Sequence, residues 1–277
     1  MNAVKVSIFT AGFCTCPEQI AIQGGRWREI RFPAMFALLE HPRLGAMLFD
    51  TGYSQRFFDE TSRFPNRLYR MLTPVTLREE QVAVNQLAAL NIRSADVTRI
   101  FISHFHADHI AALGDFPRAR YVYLPGAFDA VRNLRGLGAL SRAYLPGLLP
   151  GDFAERADPV PASVKRTLPP EYAPFTTGFD LLGDESLLAV ELPGHAVGQL
   201  GLFVRDESGV TYFFVADAAW LGASLTGNRP PHPLANLLFP DPAAYRATLA
   251  DLHHFQGRRP EVQLIPSHCE TTLARFS

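Results

Sequence analysis

The chain has 277 residues, 47% of them apolar, with 20 glycines and 22 prolines, enough to bury a full core cut by many turns. Its 26 basic and 27 acidic residues nearly cancel, and no Lys/Arg block interleaves with aromatics, which argues against a nucleic-acid partner. No apolar run reaches the roughly 18 residues of a membrane span. The stretch MNAVKVSIFTAGF has neither a basic n-region nor a long apolar h-region, so the expectation is a cytoplasmic protein with no membrane partner. One domain over residues 1–277 is expected. The 3 cysteines, Cys14, Cys16 and Cys269, lack zinc-ribbon or C-x-x-C spacing and read as reduced thiols.

In chain order, KVSIFTAG reads as a first strand. FPAMFALLE and AMLFDTG then form a hairpin around HPRLG, which leaves Asp50 at a strand tip and His41 exposed in the turn. The stretch 53–80 carries aromatics at helical spacing around Pro65. LREEQVAVNQLAALNI has apolar residues at 82, 84, 87, 90 and 92, the period of an amphipathic helix. VTRIFIS is a β-branched strand that delivers the chain to His104; a short helix, a turn at 114–115 and the strand YVYL follow. Residues 125–177, rich in Pro, Gly, Arg and aromatics, read as helices with long connections that, like 53–80, would cover a site. LLAVELPGHAVGQLGLFVRDESGVTYFFVADAAW reads as hairpin-like strands around 207–209, AAYRATLADLHHF as a helix, and EVQLIPSHCE as a strand ending at His268. GAMLFDTG and TYFFVADAA both end a strand in Asp, a weak symmetry compatible with two similar halves packed face to face.

The chemistry concentrates in ISHFHADHIAAL, which spends three of the chain's 9 histidines within six positions. A solvated turn has no reason to repeat imidazole at alternate positions. Alternation lets His104 and His106 converge on one ion from a strand end, while Asp108 and His109, on a new helix, face a second. Three further strand ends offer donors: His195 after Pro193-Gly194, Asp217 after Val215-Ala216, and His268 after Pro266-Ser267. Together they complete two shells, His104, His106 and His195 for one ion and Asp108, His109 and His268 for the other, with Asp217 bridging. All are oxygen or nitrogen donors, so two divalent transition-metal ions are expected; Zn²⁺ suits the set, and Fe or Mn also fit.

The ordered set LFDTG, SHFHADH, PGH, AD and PSH resembles the metallo-β-lactamase superfamily from about residue 4 to residue 270. The resemblance implies an α/β fold, a four-layer αββα sandwich with the metal site along one edge. It implies that Asp50 orients a ligand histidine by hydrogen bonding; a turn-forming Asp before Thr-Gly is the other reading. Two adjacent cations would make a bridging hydroxide available as nucleophile on a lactone, ester or thioester. Asp108 would orient it and pass a proton to the leaving group.

Within the superfamily, the hairpin, the SHFHADH phrase and PGHAVGQLGLFV before VADAAW look most like N-acyl-homoserine lactonases. Those carry a Tyr three residues after the bridging Asp, where this chain has Trp220, whose indole can donate one N–H but cannot ionise or accept. Trp220 is therefore taken as the candidate for that residue's place in catalysis, with the role lost or moved. The alternatives are an acyl thioesterase or arylesterase of the same fold and, from another class, a non-catalytic ligand-binding or sensor protein with a retained metal site. The partner expected is a small-molecule acyl substrate; a homodimer is a family-level expectation. Phe57, Phe58, Phe64, Tyr69 and Tyr144 either wall an apolar acyl pocket or are ordinary core. His232 reads as an exposed loop residue, His253-His254 as meeting solvent or the helix dipole, and Cys269 as structurally buried.

Overall fold

A computed structural model describes residues 3–276. Strands β1 (Lys5–Pro17), β2 (Glu29–His41), β3 (Gly45–Phe49), β4 (Val75–Thr76), β5 (Arg99–Phe101), β6 (Arg120–Tyr123) and β7 (Ala157–Pro159) form a seven-stranded sheet in the order β4-β1-β2-β3-β5-β6-β7. Strands β8 (Lys165–Thr167), β9 (Thr177–Asp180), β10 (Leu187–Glu191), β11 (Leu200–Arg205), β12 (Thr211–Ala216) and β13 (Gln263–Pro266) form a six-stranded sheet in the order β13-β12-β11-β10-β9-β8. Both sheets are mixed: β3, β5, β6 and β7 run parallel, as do β12 and β13, while the remaining pairs are antiparallel.

Strand periodicity of two sorts side chains between three cores. On the inner faces, Met35, Ala37 and Leu39 of β2, Leu202 and Val204 of β11, and Phe214 and Ala216 of β12 form the layer between the sheets. Phe49 stacks on Phe214 across that layer with ring centroids 5.3 Å apart. Alternate residues turn outward: Phe36 and Leu38 meet Phe57, Leu87 and Ile110, while Phe203, Phe213 and Val215 meet the helix Pro242–Arg258. The result is the expected four layers. A one-residue slip would turn Phe214 against the helix and Phe213 between the sheets, disrupting the packing of both layers, so the register is well determined.

The helix Pro242–Arg258 starts where the Asp241 carboxylate accepts the Ala243 and Ala244 N–H groups and Pro242 fixes the first turn. Its buried residues Tyr245, Thr248, Leu249, Leu252 and Phe255 repeat at helical spacing against the second sheet. Among the described residues no helix is long and apolar enough to cross a membrane.

Several expectations need correction. The first strand does not stop at Gly12: a register shift between Thr10 and Phe13, with Gly12 at φ +76, lets β1 continue to Pro17. The amphipathic helix expected over LREEQVAVNQLAALNI shrinks to Ala83–Ala89 behind a 3-10 turn at Glu79–Gln81, because Val82 is extended (φ −63, ψ 135). Residues 125–177 hold not only short helices but β7, β8 and the start of β9. His41 is buried: its Nδ1 accepts the Arg43 and Leu44 N–H groups and its Nε2 faces Asp184 at 3.0 Å. Asp184 lies in the turn before β10, a partner no local pattern reveals. His232 is half-buried and accepts the Leu234 N–H, and His253 donates to the Leu225 carbonyl; His254 is exposed. Cys14, Cys16 and Cys269 are free thiols, Cys14 and Cys269 buried, and burial pushes Cys16 up to about 11.

Candidate metal centre

Five loops at strand C-terminal ends meet at one edge of the sandwich. The segment after β5 stays extended through His106 (φ −72, ψ 153) before the helix Ala107–Ile110 begins. Alternation therefore sends Phe105 into the core, against Tyr123 and Phe153, and leaves His104 and His106 on the opposite side. Asp108 and His109 follow in the first helical turn. His195 is fixed from behind: Thr248 Oγ1 donates to the Pro193 carbonyl at 2.7 Å. Gly194, at φ +122, lies so close to the helix Pro242–Arg258 that a Cβ would sit 2.1 Å from the Tyr245 nitrogen. Asp217 follows Ala216, itself left-handed at φ 48, and His268 follows β13.

The structure brings all seven expected ligands into two groups, His104, His106, His195 and Asp217 in one and Asp108, His109 and His268 in the other. His195 Nε2 lies 3.0 Å from His106 Nδ1 and 3.2 Å from Asp217 Oδ2, and His104 Nε2 lies 4.0 Å from that same oxygen. Asp217 Oδ1 lies 3.4 Å from His109 Nε2, and His268 Nε2 lies 3.1 Å from each of the two carboxylate oxygens. Asp108 Oδ2 closes the second group at 3.6 Å from His109 Nε2 and 3.5 Å from His268 Nε2. Ligand atoms about 2.0–2.2 Å from a tetrahedral cation sit roughly 3.3 Å from one another, so the spacing fits two ions with Asp217 between them.

The hydrogen bonds point the same way. His109 Nδ1 meets Asp50 Oδ2 at 2.8 Å and His268 Nδ1 meets the Pro33 carbonyl at 2.8 Å. Both oxygens accept, so both Nδ1 atoms donate outward and both Nε2 atoms are directed at the centre. His104 Nε2, His109 Nε2 and Asp217 Oδ1 are buried with no hydrogen-bond partner. Unsatisfied buried polar atoms cost about 1–3 kcal/mol each, and these three are distributed over both groups, where a cation in each would satisfy them.

Burial, reinforced by neighbouring imidazoles, holds His104 and His106 well below the ordinary histidine value, the neutral form a ligand needs. Burial also opposes a charge on His109 and His268, but the carboxylates outweigh it and raise both: Asp108, Asp50 and Asp217 around His109, Asp217 and Asp108 around His268. For Asp217, burial is overcome by His268, His109 and His195, which hold it well below the carboxylate range. Asp50 is raised by complete burial, against the pull of His109 and Ser103. It is no mere turn residue.

A cavity of about 360 Å³ opens over the centre, with His106, Asp108, His195, Asp217 and His268 in its floor. Tyr53, Tyr69, Leu72 and Thr73 line one wall, as expected of the 53–80 segment, but 125–177 contributes only Ala143. The other walls, Cys14–Ile20 with Phe32, and Leu234, Ala235 and Leu238, were not anticipated. Of the aromatics singled out from sequence, Tyr69 alone lines this cavity; Phe57 and Tyr144 are core and Phe64 is exposed. Trp220 lies in the wall, yet its N–H is already spent on Asp217 Oδ2 at 3.1 Å.

Known proteins resemble this chain in sequence and in fold. The chain is 26% identical over 222 residues to the N-acyl homoserine lactonase AttM of Azorhizobium caulinodans, covering 79% of this chain and 78% of that one. It is 25% identical over 226 residues to the AttM of Agrobacterium fabrum, with the same coverage. Among solved structures, an N-acyl homoserine lactone hydrolase with N-hexanoyl-L-homoserine bound at its metal centre superposes with a TM-score of 0.75 at 17% identity, covering 99% of this chain and 97% of that one. AidC, a dizinc quorum-quenching lactonase, gives 0.64 at 15% identity, over 98% and 89%. A family model for the metallo-beta-lactamase superfamily matches residues 36–268, from β2 through the last candidate ligand, and the chain belongs to that superfamily.

Proposed function

We propose that this protein is a metal-dependent hydrolase that opens a lactone or cleaves an ester bearing an apolar acyl group. The observation that carries the reading is the Asp217 carboxylate standing between two histidine groups in the floor of a largely apolar cavity. The four-way likeness to AttM lactonases supports the lactone half of the statement.

His104, His106 and His195 would hold one cation, Asp108, His109 and His268 the other, with Asp217 shared. Such a pair supplies an activated water at neutral pH and polarises the substrate carbonyl. The chain does the rest. Asp108, on the cavity floor, is placed to take a proton from the attacking water and return it to the leaving oxygen. Trp220 holds Asp217 in line, so it acts on a ligand rather than on substrate. Tyr69, Leu72, Leu234 and Leu238 exclude water from the acyl arm, and Leu72 and Leu234 stay 80% and 59% exposed at the mouth, an apolar lip for an apolar chain.

The test is turnover of cation-replete protein on a side-by-side panel of acyl lactones, aryl esters and acyl thioesters. Hydrolysis that vanishes on chelation and favours the lactones supports the reading. Preference for thioesters or aryl esters moves the assignment to a sibling activity, and inactivity on the whole panel with both cations bound rejects the hydrolase.

A further inference from the structure

Between the two groups of candidate ligands, behind the cavity floor, lies Ser103, the last residue before the histidine motif. It is fully buried, as are Asp50 and His104. Its N–H donates to Asp50 Oδ1 at 2.8 Å, and its Oγ lies 2.7 Å from Asp50 Oδ2, 3.0 Å from His104 Nδ1 and 3.3 Å from His109 Nδ1. Asp50 Oδ2 in turn lies 2.8 Å from His109 Nδ1. No other described hydrogen bond reaches His104 Nδ1.

We propose that Ser103 is a positioning residue that ties both ligand groups to the single carboxylate of Asp50 and thereby selects the tautomer of His104. A hydroxyl has one hydrogen and can still accept through its lone pairs. Its shortest contact is the carboxylate, which only accepts, so the hydrogen goes to Asp50. The oxygen can then only accept from His104, whose proton must sit on Nδ1. That leaves Nε2 unprotonated, on the side of Asp217 Oδ2. With the opposite tautomer, an Nε2–H would point into the centre and block a cation. Asp50 thus reaches His109 directly and His104 through Ser103, one residue of each group on one anchor. Its backbone is left-handed (φ 57), and its N–H is pinned to the Phe101 carbonyl, so the anchor itself is fixed to the end of β5.

The affinity consequences rest on the ligand assignment proposed above, whereas the tautomer does not. The deciding experiment is therefore ¹⁵N NMR of ring nitrogens in cation-free wild type, where His104 is expected protonated at Nδ1 and bare at Nε2. An Nε2–H tautomer overturns the proposal, whatever the protein binds. In parallel, cation titration against a chromophoric chelator compares variants whose fold is checked by circular dichroism. Ser103→Ala is expected to weaken one of the two cations about 10–100-fold, the usual effect of removing a residue behind a ligand, while the other stays within about threefold because the Asp50–His109 bond survives. Ser103→Thr keeps the hydroxyl and should bind like wild type. Asp50→Ala should weaken both. Wild-type affinity for both cations in Ser103→Ala would contradict the proposal.

Discussion

The indole N–H of Trp220 donates to Oδ2 of Asp217, the carboxylate that faces both ligand groups. Phe32, Phe239 and His195 pack edge-on around the indole, so its direction is set by three neighbours. A hydrogen bond to a charged group is worth about 1.5–3 kcal/mol. Trp220→Phe, which preserves most of the packing, should therefore weaken cation affinity about tenfold or more, measured by chelator competition. Unchanged affinity would return Trp220 to a simple wall residue.

Asp217 and His106 offer a harsher test. Asp217→Ala leaves five buried imidazoles facing one another with no anion between the groups, and His106→Ala opens one group entirely. Each variant is expected to lose bound metal by elemental analysis and, with it, ester hydrolysis. Retained hydrolysis at wild-type rates in a metal-free variant would separate the activity from this centre.

Gly194 tests how His195 is held. A methyl group there would collide with the Tyr245 backbone, at a φ of +122 that side chains rarely adopt. Gly194→Ala should lower the melting temperature by at least the shift that about 1–3 kcal/mol produces, and weaken cation binding with it. Gly257, in the helix Pro242–Arg258, has nothing within 4 Å of the same methyl position, so Gly257→Ala should instead stabilise by up to about 1 kcal/mol. Equal melting shifts for the two would contradict the packing.

Leu238 lines the wall of the cavity over the centre and is partly exposed. Leu238→Ser removes apolar contact worth about 0.8 kcal/mol per buried methylene, so kcat/KM for an octanoyl ester should fall severalfold while an acetyl ester is unaffected. Equal losses on both esters would mean the acyl chain lies elsewhere.

The donors of the centre were legible because each follows an apolar run that must end at the sheet's edge, and because an alternating H-x-H converges only if the chain stays extended, as it does to His106. The layers were legible for the same periodic reason. What supports the donors was not. The Pro33 carbonyl behind His268 is backbone and carries no residue signal, and Ser103 stood beside the motif as a plain serine. The walls escaped because Cys14–Ile20 and Leu234–Leu238 are brought to the mouth by tertiary packing alone. His41 looked solvated because its partner, Asp184, is 143 residues away. In LREEQVAVNQLAALNI the helical period outran the helix, and Leu90, counted on its apolar face, is 47% exposed.

The central claim, a pair of cations shared through Asp217 and required for hydrolysis, is tested most directly by metal content and turnover in one preparation. Elemental analysis should find close to two transition-metal ions per chain, chelation should abolish lactone or ester hydrolysis, and readdition should restore it. Full activity in protein from which every ion has been removed would contradict the account.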